Sequence, residues 1–164
     1  MNGKEKETEF IKIYNEAADD IFRHLYFRVY DYERAKELTQ ESFIRAWKYV
    51  AQGREIDNMK ALVYKIATNM AIDESRKKKA VSLDAIMEAG AEINIVADNN
   101  MVIKSEAAIV LQKMQKLNEY ERNLVLMRYI QQMGIREIAE IMGKKENAIS
   151  VGLNRAIKKL KKYV

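Results

Sequence analysis

The sequence predicts an all-α protein made of two small helical domains that a linker joins. Its 164 residues include no proline and only six glycines, so little interrupts a helix and few turn signals favour a hairpin. Hydrophobic residues make up 48% of the chain, which is enough to build cores. From the helical periodicity we expect domains at residues 1–79 and 109–164, with a linker at residues 80–108.

The first helix is expected over residues 8–30, where apolar side chains such as Phe10, Ala17, Ile21 and Leu25 keep a helical repeat. His24, the only histidine, falls close to this apolar stripe. A lone histidine in such a position is more often a core residue than a catalyst. We therefore interpret His24 as structural.

The second helix is expected from about Glu33 to Val50, with Asp31 as its N-cap. Its predicted buried side includes Phe43 and Trp47. A loop with Gly53 follows at residues 51–58, and Asn58 is the predicted cap of a third helix. The opposite face of the second helix is polar and consists of Glu37, Gln40, Glu41, Arg45 and Lys48.

The third helix is expected to continue to about Lys79 and to present a polar outer face. Lys65, Asn69, Asp73 and Arg76 follow one another at spacings of four, four and three residues, which places them on one side of a helix. From residue 80 to about residue 105 the apolar periodicity is weak and acidic residues outnumber basic ones. This composition indicates a linker.

The C-terminal part, from Leu111, is typical of three short helices, the last two joined by a glycine turn at Gly143. From Glu146 the last helix directs Ile149 and Leu153 inward. This is a helix-turn-helix pattern whose outer face is expected to enter a DNA groove. The residues expected on that face are Asn147, Ser150, Val151, Asn154, Arg155 and Lys158.

Charge supports contact with nucleic acid. Residues 106–164 carry 12 lysines and arginines against six acidic residues, and a second basic block runs from Arg76 to Lys79. Two separate phosphate-facing surfaces account for this distribution better than one diffusely basic protein. The chain has no cysteine, no signal peptide core and no motif for a metal, a phosphate loop or a nucleophile. We therefore expect a cytoplasmic protein that is neither an enzyme nor a cofactor carrier.

Four segments, Ala35–Trp47, Tyr64–Lys79, Glu137–Gly143 and Leu153–Leu160, resemble the extracytoplasmic-function (ECF) group of bacterial sigma-70 factors. The resemblance spans almost the whole chain, in the same order. It implies a region 2 helical bundle, a region 4 helix-turn-helix domain and a short linker between them. It also implies that the chain binds core RNA polymerase and directs promoter-specific transcription initiation, with promoter DNA as a second partner and an anti-sigma factor as a further candidate partner.

The resemblance assigns a role to each exposed face. The loop at residues 51–58 matches the family's pocket for a base flipped from the minus-ten element. Polymerase docking falls on Glu37, Gln40, Glu41 and Arg45. Minus-ten DNA falls on Lys65, Asn69, Asp73, Arg76 and Lys77. Minus-thirty-five base edges fall on residues among Asn147, Ser150, Val151 and Asn154, and its phosphates on Lys144, Lys145, Arg155 and Lys158.

The chain departs from the family pattern in several places. Leu62 replaces a tryptophan, Asn118 replaces a proline, and Lys145 and Ala148 replace the Ser and Thr near the start of the recognition helix. Without Ser or Thr the cap of that helix is weakened, at a cost of roughly 1 kcal/mol.

Two alternatives from other classes remain. One is a helix-turn-helix regulator that acts without polymerase, which usually binds as a dimer. The chain shows no dimerisation heptads, so we expect a monomer outside the holoenzyme. The other is a sigma-like accessory protein that binds polymerase without reading promoters itself.

Overall fold

The computed structural model describes residues 2–89 and 112–162, and for residues 79–89 it describes the backbone alone. The chain divides into two units, Met1–Ala97 and Asp98–Val164. Within the described ranges the secondary structure is helical and no strand occurs, which confirms the all-α prediction. The predicted boundary between residues 108 and 109 lies outside the described residues. None of the described helices is long and apolar enough to cross a membrane.

The first unit consists of three helices: α1 (Gly3–Val29), α2 (Tyr32–Ala51) and α3 (Met59–Ala89). Their starts follow the sequence signals. Asn2 forms a capping box with Glu5, the Asp31 side chain accepts from the Arg34 backbone N–H, and the Asn58 side chain accepts from Ala61 N–H. Each cap satisfies a backbone donor that the first helical turn leaves open.

Two helix ends differ from the prediction. Helix α1 begins at Gly3 instead of residue 8, because the capping box at Asn2 is followed by a charged stretch of good helix formers. Helix α3 continues to Ala89, ten residues beyond the expected end at Lys79 and into the predicted linker. No proline or glycine occurs before Gly90 to stop it, so weak apolar periodicity was not a sign of a helix end.

The core of the first unit lies where the three helices face one another. Ile21, Leu25, Ala35, Val63 and Ala67 are completely buried there. This packing leaves one side of each helix in solvent, which is the side that carries the charged residues.

Trp47 was expected in this core, and that expectation is wrong. Its side chain is 37% exposed and lies against the ring of Phe10, with 5.1 Å between ring centroids. Phe43 takes the buried position and meets Phe10 and Tyr14 edge-on. Trp47→Ala therefore removes a half-covered ring contact, and its effect on stability should fall below the roughly 3–5 kcal/mol typical of a buried indole.

His24 is a core residue, as predicted. It is fully buried, and its Nε2 lies 2.8 Å from the Thr68 hydroxyl oxygen. That hydroxyl donates its own hydrogen to the Tyr64 carbonyl oxygen, so His24 Nε2–H is the donor of the pair. Arg28 donates to the His24 carbonyl oxygen, and burial lowers the pKa of its guanidinium to about 9. The His24–Thr68 bond joins α1 to α3, and complete burial leaves His24 no exposure for chemistry.

Helices α2 and α3 are tied by an ion pair between Arg34 and Glu74. The Arg34 guanidinium also bonds the Glu37 carboxylate at 2.8 Å, so it lies between two acidic groups. Glu74 is mostly buried, and its hydrogen bond with Arg34 holds the pKa of the Glu74 carboxyl below its ordinary value of 4.5. Loss of this carboxylate therefore acts on the packing of α2 against α3.

The second unit contains α4 (Glu119–Val125), a π-helical turn (Leu126–Ile130), α5 (Ile135–Met142) and α6 (Glu146–Lys161). Asn118, which replaces the family proline, forms a capping box with Glu121 and so starts α4 by hydrogen bonding. Gly143 ends α5 in the left-handed region, with φ of 64°, as predicted for the turn. The helix-turn-helix is therefore α5, this turn and α6.

Helix α6 crosses α4 at short distance. A Cβ added at Gly152 would lie 2.7 Å from Leu124 Cδ1 and 3.2 Å from Tyr120 Cε1, so a larger residue there requires these side chains to shift. Two turns further, Lys159 Nζ bonds both carboxylate oxygens of the buried Glu121, at 2.7 and 3.0 Å. The close contact at Gly152 and this ion pair determine which side of α6 faces solvent.

We predict that Glu74→Gln destabilises the first unit in a pH-dependent way, by about 1–2 kcal/mol at neutral pH. The carboxyl has a lowered pKa in the folded state, so its stabilisation is present above pH 4.5 and is lost as the pH falls below that value. Urea unfolding at several pH values should show the wild-type and variant curves converging in acid. Glu37→Gln, which removes the more exposed partner of Arg34, is the control. If the difference in unfolding free energy between wild type and Glu74→Gln stays constant with pH, the Glu74 carboxylate is not the source of the stabilisation.

Candidate nucleic-acid interface

The outer face of α6 is opposite its packed side. Ile149, Leu153 and the small residues Gly152 and Ala156 are buried. The residues predicted to form the outer face are all exposed except Ser150. Ser150 is half-buried, and its hydroxyl donates to the Glu146 carbonyl oxygen at 3.1 Å. The exposed members are Asn147, Val151, Asn154, Arg155 and Lys158.

The start of α6 is basic and has no side-chain cap. Lys145 occupies the N-cap position with extended backbone, φ −75° and ψ 148°, and makes no capping bond. Lys144 and Lys145 are both exposed in front of the first turn. A cation at this end of a helix interacts unfavourably with the helix dipole, so these lysines do not stabilise α6. Their ammonium groups are available to phosphate.

The outer face of α3 is also continuous. All five residues that the resemblance assigns to the minus-ten DNA are exposed, and Val63, Ala67 and Met70 are buried on the opposite side. Four of the five are basic or amide side chains, which donate hydrogen bonds to phosphate or to base edges. The exposed residues are Lys65, Asn69, Asp73, Arg76 and Lys77.

A cleft of about 340 Å³ opens beside this face, at the end of α2 and the loop that follows. The Arg54 guanidinium lies over the Tyr49 ring, 4.6 Å from its centroid. Three basic side chains and no acidic one line the cleft, and Tyr49 supplies an aromatic face. The lining residues are Arg45, Lys48, Tyr49, Gln52, Arg54, Ile66 and Asn69.

The resemblance placed a base pocket at the loop of residues 51–58, and two residues of that loop, Gln52 and Arg54, line the cleft. Arg45 was expected at polymerase and Asn69 at DNA, and the structure brings the two to one cavity. The signal available in the sequence was Tyr49 and Arg54 on either side of Gly53, a spacing that a tight loop folds together. Gly53 has φ of 74°, a left-handed conformation that favours glycine.

The polar face of α2 is exposed as predicted at Glu37, Gln40 and Arg45, and Glu41 is half-exposed. Glu41 pairs with Arg45 one turn on. The structure adds Ile44, whose side chain is 55% exposed between these polar residues. An apolar side chain surrounded by charge on one helix face is typical of the centre of a protein contact.

The chain matches two family models, Sigma-70 region 2 over residues 13–81 and Sigma-70, region 4 over residues 107–160. It is 30% identical to the ECF RNA polymerase sigma factor SigW of Bacillus subtilis, over 98% of this chain and 91% of SigW. The chain belongs to the ECF group of sigma-70 factors. This ECF sigma factor is also 28% identical to the ECF RNA polymerase sigma factor BldN of Streptomyces coelicolor, over 92% of its own length but only 58% of BldN.

Solved structures agree in fold. The sigma factor RpoE of Bartonella quintana, crystallised with the anti-sigma factor NepR, matches with a TM-score of 0.70 at 18% identity, over 94% of this chain and 95% of RpoE. CnrH, in complex with the cytosolic domain of CnrY, matches with a TM-score of 0.67 at 18% identity, over 96% and 88% of the two chains. The three-helix unit and the helix-turn-helix unit of this ECF sigma factor are therefore its regions 2 and 4.

We predict that Lys145→Ser stabilises region 4 by about 1 kcal/mol, because serine at an extended N-cap accepts from the first-turn N–H groups and removes an unfavourable charge. Thermal unfolding followed by circular dichroism measures the change. Lys144→Ser removes the same charge next to the cap position and is the matched control. Equal stabilisation by the two variants would assign the gain to charge and not to capping.

Proposed function

We propose that this ECF sigma factor starts transcription by dividing the promoter between its modules, with region 2 on polymerase and minus-ten DNA and region 4 on minus-thirty-five DNA. The observation that carries the proposal is that the residues assigned to each partner lie on solvent-facing helix sides whose opposite sides are core. The chain acts as an initiation factor in the cytoplasm and performs no chemical reaction of its own. We assign it no cofactor.

The α2 face is the proposed dock for core RNA polymerase. Gln40 and Glu41 offer hydrogen bonds and charge, and Ile44 offers apolar area at the centre. Trp47 adds an exposed ring at the edge of the same face. An apolar centre with a polar rim suits a protein partner and does not suit DNA, whose surface is charged phosphate.

The cleft beside α3 is the proposed pocket for a base flipped from the minus-ten element. Flipping costs a few kcal/mol of unstacking, so a pocket must return stacking and hydrogen bonds. Tyr49 provides a ring for stacking, and Gln52 and Asn69 provide amides for a base edge. Arg54 and Lys48 line the same cleft and provide cations for the strand's phosphates.

Region 4 is the proposed reader of the minus-thirty-five element. Helix α6 presents amides at Asn147 and Asn154 and cations at Arg155 and Lys158, and Lys144 and Lys145 precede it. Amides bond base edges in the major groove, and cations bond phosphates. In helix-turn-helix proteins the second helix of the motif lies in that groove, which supports this role for α6.

An anti-sigma factor is a proposed further partner. RpoE was crystallised with the anti-sigma factor NepR, and its match in fold covers 94% of this chain. Before polymerase binds, the exposed apolar side chains Ile44 and Trp47 offer such a partner a surface on region 2. We propose that the chain is otherwise a monomer.

Of the alternatives, the helix-turn-helix regulator does not account for region 2, which matches its family model over residues 13–81. The accessory protein rests on the departures at Lys145 and Ala148. The structure weakens the argument from these departures, because Lys145 occupies the N-cap position with ordinary backbone angles and α6 forms over its full length.

We expect purified chain to confer initiation on its cognate core RNA polymerase. Run-off transcription from a promoter library should give products of discrete start sites with the chain and none without it. A regulator gives no initiation from core enzyme alone. An accessory protein binds core without selecting promoters, so core binding with no enriched promoter would overturn the proposal.

Changing Gln40 to Ala together with Glu41 to Lys should lower affinity for core polymerase at least tenfold, because both lie on the proposed dock and one charge is reversed. Affinity is measured by pull-down or by interferometry, and circular dichroism checks that the helices persist. The control is Glu16→Lys, the same reversal on an exposed position of α1. Unchanged affinity of the double variant removes α2 from the interface.

Asn154→Ala should cost about 1–3 kcal/mol on the preferred minus-thirty-five duplex and little on scrambled DNA, because an amide reads base edges. Lys158→Ala should weaken binding to both duplexes alike, because an ammonium contacts phosphate. It should also reduce the slope of the logarithm of the binding constant against the logarithm of salt concentration by about one. Titrations of both variants at several salt concentrations separate the roles. If Asn154→Ala loses equally on the two duplexes, the residue does not read bases.

A further inference from the structure

The outer face of α6 contains one large apolar side chain. Along Glu146–Lys161, all of which the structure describes, Val151 alone among the large hydrophobic residues is exposed, at 42%. A single exposed valine is ordinary on a protein surface and calls for no explanation by itself. Its position on the helix is what makes it informative.

Val151 lies at the centre of the proposed reading face. Helical spacing of 100° per residue places it almost opposite the buried Ile149 and Leu153. Asn147 lies one turn before it and Asn154 and Arg155 one turn after it, and all three are exposed. A residue on this face in the first half of the recognition helix meets the floor of the groove, whereas residues further along the helix meet phosphates.

The floor of the major groove offers valine one kind of partner. Base edges there are hydrogen-bond donors and acceptors, except for the 5-methyl group of thymine. Valine forms no side-chain hydrogen bond, so against any other edge it would cover a polar group without replacing its water. Its side chain is held near one rotamer in a helix, which fixes its methyl groups in place before DNA arrives.

We propose that Val151 is a specificity-determining residue that contacts the 5-methyl group of one thymine in the minus-thirty-five element. The inference rests on the proposed role of region 4 and adds the chemistry that it recognises at one position. Asn147 and Asn154 flank Val151 and read the neighbouring base pairs, for which a bidentate amide favours adenine.

Replacing thymine by uracil tests the contact, because the change removes only the methyl group. The minus-thirty-five sequence is first selected from a randomised duplex with the full chain assembled on its cognate core polymerase. Each selected thymine, on either strand, is then changed singly to uracil. We expect one position to lose about three- to fivefold in affinity, the effect of a single buried methyl group, and the others to lose little.

Variants of Val151 test the same contact from the protein side. Val151→Ala should bind the thymine duplex about three- to fivefold more weakly and should no longer distinguish thymine from uracil. Val151→Thr keeps the branched shape and one γ-methyl group, so it should retain part of the discrimination. Because Val151 is exposed and alanine favours helix, α6 should persist in both variants, as circular dichroism can verify.

Three results would overturn the inference: a selected element without thymine, equal affinity for every uracil duplex, or undiminished discrimination by Val151→Ala. The last result would assign the methyl contact to another residue, with the exposed Ala148 as the next to change. Failure to select any sequence is a different outcome, because it overturns the proposed function of region 4 and the inference together.

Discussion

A helix can present a face to a partner only when the packing of its opposite face prevents rotation, and every proposed binding surface of this chain depends on that constraint. In region 4 Gly152 lies directly against the Leu124 and Tyr120 side chains, and Lys159 bonds the buried Glu121. These two contacts orient α6 before DNA is present. In region 2 the bonds of His24 with Thr68 and of Arg34 with Glu74 do the same for α3.

The two modules use buried polar groups differently. In region 2 the His24–Thr68 and Arg34–Glu74 contacts join different helices and leave the outer face of α3 to lysine, arginine and amide side chains. In region 4 one glutamate has two duties, since Glu121 caps α4 with Asn118 and receives Lys159 from α6. A change at Glu121 therefore alters a helix start and a helix crossing together, so its effect on DNA binding would not report a direct contact.

Caps and exposed faces of the described helices were predictable from the sequence, because they depend on local signals: Asp31, Asn58 and Gly143 act within one turn of their own position. The exposure of Trp47 was not predictable from the sequence. Periodicity places it at the edge of the buried stripe, and the position of Phe43 beside α1 decides which ring is covered. The cleft was not predictable either, because it requires the end of α2, the loop and α3 to meet. The extension of α3 to Ala89 shows that a weak apolar pattern does not end a helix.

The position of Trp47 also gives the molecule an optical label. It is the only tryptophan of the chain, and it lies half in solvent at the edge of the α2 face. An indole that loses water emits at shorter wavelength. A protein that covers α2 therefore shifts the emission of this chain. A tryptophan-free fragment of polymerase or of an anti-sigma factor can thus be followed onto region 2 without any added dye.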